Sequence, residues 1–430
     1  MNFVLAFLAF NIIVIVHELG HFLAAKKFGI KVLEFSLFIG PKIFSFQKGD
    51  TMYSLRLFPI MAYVKMEGEM EESDSESAFN NKPKHARALT AFGGPFANLL
   101  LAVVLLTVYF AVAGYDSTVV SRVVQNSAAS EAGLQQGDKI VSYDDKRAYV
   151  QLDIVQFLYV SKGIPAKVGY VRDGKTYTTT IKPVIYPAAT APKIGVSLGA
   201  DNGPDSNVIN ALSADYPAAK MGLLVGDRII AMNDTEIKTA QELMDYVAKN
   251  GLKKIEVTVQ RGESKLTVGI TPIEVKTTET YDLGLGLATI KGGLVDSLRE
   301  SAVFTYSISR SVAYSIGWLI TGKAKLSDVM GPIGMVNTIG TVVKQAPNAM
   351  EMLLYLIRIT ALLSIAIGAT NLVPFPMLDG GRLVLIGMEA IRGKPLSQEK
   401  EAYISMVGFV LIILLGIYAA YNDIVRIITG

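Results

Sequence analysis

The chain has no cysteine, only three histidines and a single tryptophan in 430 residues. Without thiols it can form neither disulfides nor thiolate metal sites, and it has no cysteine nucleophile. Charge is scarce as well: 41 Lys and Arg stand against 38 Asp and Glu, a net +3. No basic patch with interleaved aromatics occurs, which argues against nucleic acid as a partner. Apolar residues take the place of charge. They make up 51% of the chain and raise the mean hydropathy to +0.38, too apolar for a wholly soluble protein and too long for one small domain.

Four windows, residues 3–25, 89–113, 351–373 and 403–422, have the length and sparse charge of bilayer spans. A polytopic α-helical membrane protein with four transmembrane helices is expected. The first window lacks the basic start and small-residue cleavage site of a signal peptide. Ten Lys and Arg residues lie from Lys26 to Arg87 and none precedes the first span. The positive-inside rule then puts that loop in the cytoplasm and both termini outside. Residues 114–350 become extracytoplasmic, and the loop with Arg382, Arg392, Lys394 and Lys400 cytoplasmic. Residues 294–322 carry Arg299, Glu300 and Arg310, with Trp318 near one end. They suit an amphipathic helix on the outer membrane surface, since a fifth span would reverse the loop at 382–400 and break the charge rule.

The run His17-Glu18-Leu19-Gly20-His21 lies inside the first span. On a soluble surface helix two histidines and an acid would simply be solvated. At membrane depth each polar side chain costs roughly 2.5–3.5 kcal/mol on insertion scales, so an unpaired role is disfavoured. Positions four apart share a helix face, so His17 and His21 can present ring nitrogens to one metal with Glu18 beside them. Two neutral imidazoles suit zinc, and Glu18 is placed to take a proton from water acidified by the metal. His85, among Lys82, Lys84 and Arg87, reads as an exposed loop residue.

Compared with itself, the chain shows an internal match: Ala132 to Ile140 and Met221 to Ile229 share Gly-Leu-x-x-Gly-Asp-x-Ile at an offset of 89 residues. Each copy sits among short β-rich runs with a helical stretch, so each Gly-Asp element should form a tight turn feeding a strand. This resembles a PDZ hallmark. Two α+β modules are assigned, 115–190 and 193–275, with 285–349 as an interfacial linker. PDZ domains bind extended peptides at a sheet edge. Neither copy shows a clear carboxylate-binding loop ahead of its first strand, so peptide capture and a steric, size-filtering role both stand.

Catalytic zinc usually has three protein ligands and an open position. After the third span comes Asn371-Leu-Val-Pro-Phe-Pro-Met-Leu-Asp379-Gly-Gly-Arg382. Pro374 and Pro376 must break the helix there, and Gly380 and Gly381 allow close backbone approach. By itself Asp379 could be a ligand or a boundary turn residue. Together with the His17 motif, this segment resembles the site-2 protease family of intramembrane zinc metalloproteases, its bacterial RseP and RasP branch in particular. Gly93-Gly94-Pro95-Phe96-Ala97-Asn98, Tyr63-Val64-Lys65-Met66 and Gly331-Pro332-Ile333-Gly334 match further, and the resemblance covers nearly the whole chain.

The resemblance implies a membrane protease core of residues 1–114 and 350–430 in a bacterial cytoplasmic membrane, with tandem PDZ-like domains outside. It implies one zinc ion per chain on His17, His21 and Asp379, Glu18 as general base, and Asn371 holding substrate backbone. A membrane-associated β-loop at about 53–66 would present substrate as a strand, through Met61, Tyr63 and Val64. Here Met61 and Ala62 replace two glycines frequent in the family, which bears on loop geometry. Implied substrates are transmembrane segments of single-span proteins, of the anti-sigma-factor or remnant-signal-peptide class. The alternative is a membrane-anchored PDZ scaffold with a structural metal site, but no fourth His or Cys is available to close such a site. A metal-ion transporter would need polar residues along more than one span, and the second and fourth have almost none.

Overall fold

The computed structural model describes residues 2–69, 71, 73–198, 207–213, 216–329, 331, 334–335, 340 and 348–429. Pro332 and Ile333 of the Gly331–Gly334 match lie outside them. The chain divides into two compact units, residues 1–182 with 283–427, and residues 183–282. Among the described residues the α-helices are α1 (Asn2–Lys27), α2 (Lys84–Ala113), α3 (Ala128–Glu131), α4 (Gln151–Ser161), α5 (Pro217–Lys220), α6 (Ala240–Asn250), α7 (Leu294–Ile320), α8 (Ala349–Asn371), α9 (Asp379–Arg392) and α10 (Gln398–Thr429).

Helices α1, α2, α8 and α10 are long and apolar enough to cross a membrane, and each overlaps one of the four expected windows. Apolar side chains gain nothing by leaving lipid for one another, so such helices associate through small residues that let backbones approach. Glycines do this here. A Cβ on Gly20 would stand 2.2 Å from the Gly93 carbonyl oxygen, and one on Gly93 would stand 2.7 Å from that of Gly20. Gly368 of α8 is similarly pressed on α2, where a Cβ would lie 3.0 Å from the Pro95 oxygen and 3.1 Å from the Asn98 Cβ. Helices α2 and α8 also pack together around Leu106, Phe110, Ala361 and Ile365. At the start of α2, Arg87 donates to both Glu389 oxygens at 2.6 and 2.8 Å, tying α9 down. Both side chains are about nine-tenths buried, so removing either partner would cost roughly 3–5 kcal/mol.

Helix α7 is not among the four apolar helices, and it lies against α2 and α8. Its buried stripe is polar: Ser297, Ser301, Ser307 and Ser311, joined by Phe304. Thr107 and Ser301 share a hydroxyl hydrogen bond of 2.8 Å. The amphipathic pattern is therefore turned around, with Leu294, Val295, Leu298 and Tyr306 exposed.

The β-loop is larger than expected, comprising β1 (Val32–Lys48) and β2 (Thr51–Met66). Residues Glu34–Leu37 pair on one side with Ala62–Lys65 and on the other with Met52–Leu55, so the hairpin curls on itself. Phe38 and Met61 both take left-handed backbone, φ 68° and 66°, where the register breaks. Its outer part leaves Ile43, Phe44, Phe46, Leu57, Phe58, Ile60 and Met61 about half exposed.

The first repeat forms β3 (Tyr115–Val123), β4 (Lys139–Tyr143), β5 (Lys146–Arg147), β6 (Ala166–Arg172) and β7 (Lys175–Ile181), with α3 and α4. Its Gly-Asp element makes the expected turn. Gly133 and Gly137 are left-handed at φ 75° and 93°, and Asp138 accepts from the Gln135 N–H at 2.8 Å and from Arg172 Nε and Nη2 at 2.7 Å each. Arg172 holds the Asp138 carboxyl below the usual carboxylate range.

In the second unit, β8 (Val184–Tyr186) and β9 (Ala189–Lys193) run out and β16 (Ile273–Thr277) and β17 (Thr280–Asp282) return antiparallel to them. Between lie β10 (Val196–Leu198), β11 (Ile209–Leu212), β12 (Arg228–Met232), β13 (Thr235–Glu236), β14 (Ile255–Arg261) and β15 (Ser264–Ile270), with α5 and α6. Asp227 repeats Asp138, accepting from Leu224 N–H at 2.8 Å and from Arg261 at 2.7 and 2.8 Å. Its carboxyl is likewise lowered by that arginine.

The first repeat is completed from beyond the second. Strand β18 (Leu285–Ile290), in the stretch expected to be linker, forms the edge of a sheet ordered β18-β3-β4-β6-β7. The two repeats match in detail here. Ala129 N–H donates to Leu283 O at 2.8 Å and Val124 N–H to Gly284 O at 2.9 Å, as Ala218 N–H does to Ile194 O at 2.9 Å and Ser213 N–H to Gly195 O at 3.0 Å. Gly284 and Gly195 have φ of 69° and 85°. A Cβ on them would strike Ser127 and Tyr216, so each must be glycine. The second module is thus inserted into the first. Its insertion points leave no mark in composition, because β-rich sequence continues on both sides.

Val184 pairs with Asp282, and paired strands lie about 5 Å apart, so a short linker can bridge residues 183–282. That deletion should preserve the fold of the remainder. Deleting 115–275 should lower its thermal stability markedly, because β18 loses β3 and Arg310 loses the buried Asp153 that it meets at 2.9 Å. Thermal unfolding of both variants in detergent checks this; equal melting points would refute the split-sheet account.

Candidate active site

The α1–α2 crossing at Gly20 brings the middle of α2 against both histidines of α1. His17 Nε2 and His21 Nε2 are 3.2 Å apart. Asp379 completes the group, with Oδ2 3.2 Å from His17 Nε2 and Oδ1 3.5 Å from His21 Nε2. Both histidines are 9% exposed. Ligands about 2.0–2.1 Å from a tetrahedral zinc ion stand about 3.4 Å from one another, so this triangle has the size the ion requires. The His21 Nδ1–H donates to the Thr90 carbonyl at 2.8 Å, leaving Nε2 with a lone pair toward the other two groups.

Gly94 keeps the space before these nitrogens open. A Cβ there would stand 2.2 Å from His21 Nε2 and 2.8 Å from His17 Nε2. Among the described residues this is the one metal-capable cluster, and it has three members. Glu18 lies outside the triangle, its Oε2 accepting the Val64 N–H of β2 at 3.1 Å.

The chain break after α8 delivers Asp379. Pro374 and Pro376 remove two backbone donors, Met377 turns left-handed at φ 77°, and Asp379 opens α9, where the helix dipole favours a carboxylate. Gly380 and Gly381 are necessary for this turn: a Cβ would come within 2.3 Å of the Leu372 and Val373 oxygens and 2.2 Å of the Phe375 oxygen respectively. Gly408 of α10 backs it, with room for a Cβ filled by Pro376 at 2.6 Å.

The other expected site residues are placed differently. Asn371 ends α8 half-buried. Tyr63 turns its ring to Arg56, 5.6 Å away, on the polar face where Arg56 binds Glu34 at 2.8 Å. Val64 offers backbone to Glu18, and Met61 is 53% exposed. His85 is exposed as expected, but in the first turn of α2 and not in a loop. It faces the Phe28 ring at 6.2 Å, away from the triangle. Sequence reasoning did not assign roles to Gly20, Gly94 and Asn98. Small residues spaced along apolar helices were the available signal for the glycines, and a polar side chain inside an apolar span was the signal for Asn98.

The family model described as peptidase family M50 matches residues 5–415. The chain belongs to that family. It is 30% identical to the zinc metalloprotease RasP of Geobacillus kaustophilus over 96% of both chains. It is 28% identical to the regulator of sigma-W protease RasP of Bacillus subtilis, over 99% of both. It is also 28% identical to the regulator of sigma E protease of Haemophilus influenzae, over 98% of both. This M50 peptidase is accordingly a zinc metalloendopeptidase of the site-2 protease type and a multi-pass protein of the inner membrane.

Gly94→Ala should weaken zinc retention by roughly tenfold or more while the helices stay assembled. Metal analysis after challenge with a graded chelator measures it; wild-type retention would show that the ion does not sit before the two Nε2 atoms.

Proposed function

We propose that this M50 peptidase cuts transmembrane segments of single-span membrane proteins, with one zinc ion held by His17, His21 and Asp379. The convergence of those three ligand atoms beside Glu18 carries the reading. Zinc bound there supplies Lewis-acid charge that acidifies water and polarises a carbonyl. Glu18 takes the proton of the attacking water and passes it to the leaving amine. The Val64 N–H points one carboxylate oxygen and leaves the other free for this transfer.

A helical peptide bond is shielded and internally hydrogen-bonded, so substrate must unwind. The outer edge of β2 suits an added strand. Val64 N–H points away from β1, and by two-residue alternation Ala62 presents its backbone groups on the same edge. The exposed apolar side chains of the β-loop suit contact with lipid and substrate. Asn371, with no side-chain hydrogen bond among the described residues, is available for substrate backbone near the chain break. Met61 and Val64 bound the strand, and Tyr63 braces it through Arg56.

We read the repeats as PDZ-like domains, a reading supported by the left-handed glycine and adjoining strand in each, Gly284 with β18 and Gly195 with β10. The basic excess of residues 26–87 supports a location of the repeats and both termini outside the cytoplasm. Relatives named as regulators of sigma-W and sigma-E proteases support anti-sigma-factor-class substrates, with remnant signal peptides as a second class.

Glu18→Gln should abolish cleavage of transmembrane peptides in detergent and leave about one zinc per chain, because it removes a base and not a ligand. Asp379→Ala should lower both activity and zinc content. Turnover by the Glu18 variant, or full metal in the Asp379 variant, would overturn these assignments. A left-handed non-glycine residue carries roughly 1–2 kcal/mol of strain, so Met61→Gly should leave zinc affinity unchanged and alter cleavage rate without lowering the melting point. Loss of metal from that variant would make the loop a structural support of the site and not a substrate platform.

A further inference from the structure

Asn98 lies on α2, one turn beyond Gly94, and is completely buried. Its amide nitrogen is placed 3.1 Å from His17 Nδ1, and its Oδ1 is buried with no hydrogen-bond partner. As placed, the amide would donate to Nδ1. The His17 proton would then sit on Nε2, aimed at His21 Nε2 and Asp379 Oδ2, and His17 could not ligate through that atom. Turning the amide by half a rotation exchanges atoms of nearly equal size. The oxygen then accepts Nδ1–H, and Nε2 carries the lone pair that the triangle needs.

We propose that Asn98 is a positioning residue for the metal centre, whose amide oxygen accepts the His17 Nδ1–H and so holds Nε2 as the ligand atom. The two histidines are therefore set by different means. His21 is fixed by the Thr90 carbonyl, which no side-chain substitution removes. His17 depends on one side chain of α2. That dependence makes α2 a partner in the metal site, although it contributes no ligand. The inference rests on zinc binding at His17, His21 and Asp379.

Two near-isosteric variants separate acceptor from packing. Asn98→Asp keeps an acceptor and removes the donors; Asn98→Leu removes both. Zinc affinity of the full chain in detergent is measured by competition with a chromophoric chelator, alongside the visible spectrum of the cobalt-substituted protein. Asn98→Leu should bind zinc roughly 10–100-fold more weakly and show a changed cobalt spectrum. Asn98→Asp should remain within a few-fold of wild type with its spectrum retained. Ser364→Ala, which removes the 2.8 Å hydrogen bond to the Asn98 carbonyl but leaves the amide, should not change zinc affinity.

Equal loss in Asn98→Asp and Asn98→Leu would overturn the proposal, as would wild-type affinity in Asn98→Leu or a matching loss in Ser364→Ala. Should Asn98→Leu fail to fold in a metal-free melt, Asn98→Asp decides by itself: retained affinity and spectrum support acceptance, and loss of either refutes it. Asp379→Ala is included to separate the failures. If it leaves zinc affinity intact, the ligand assignment fails. If it lowers affinity while Asn98→Leu does not, the role of Asn98 alone is wrong.

Discussion

The backbone contact between Gly20 of α1 and Gly93 of α2 is the constraint on which the rest depends. It sets the helix separation at which Thr90 reaches His21 and Asn98 reaches His17. Any side chain at either glycine would wedge the helices apart, and hydrogen bonds of 2.8–3.1 Å do not survive such a shift. In lipid no hydrophobic force would restore the pair, so contact geometry itself must hold it. Gly94, on the next position of α2, then turns the same closeness into space for an ion.

The second element of the site arrives from far along the chain. Asp379 is held by a break that needs two prolines, a left-handed Met377 and two glycines without room for a side chain. Strain of this kind persists only where the surroundings enforce it. Arg87 and Glu389 supply part of that enforcement by fixing α9 to the start of α2. The same helix α2 thus braces both histidines and the turn that carries the aspartate.

Outside the core, insertion of one module into the other makes α7 continuous with an edge strand. β18 leads through Gly292 and Gly293 into α7, whose Ser307 and Arg310 meet the buried Asp153 of α4. Arg310 also faces the rings of Tyr149 and Tyr314 at 4.8 and 5.3 Å. The first module is therefore linked to α2 and α8 through a helix whose buried stripe is serine-rich.

Local rules determined a good deal. Apolar run length marked the four helices that are both long and apolar, because a span must be about 20 residues. The spacing of His17 and His21 placed them on one helix face, and Gly-Leu-x-x-Gly-Asp marked both repeat turns, because each is a matter of a few neighbouring residues. What only the tertiary structure decided was long-range. The join of β18 to β3, the curl of the β-loop on residues 34–37, the inward serine face of α7, and the meeting of Asn98 with His17 all link segments far apart in the chain. Composition and periodicity report which way a residue faces within its own element. They do not report which distant backbone will lie against that face; for Asn98 and His17 the close approach of Gly20 to Gly93 made that choice.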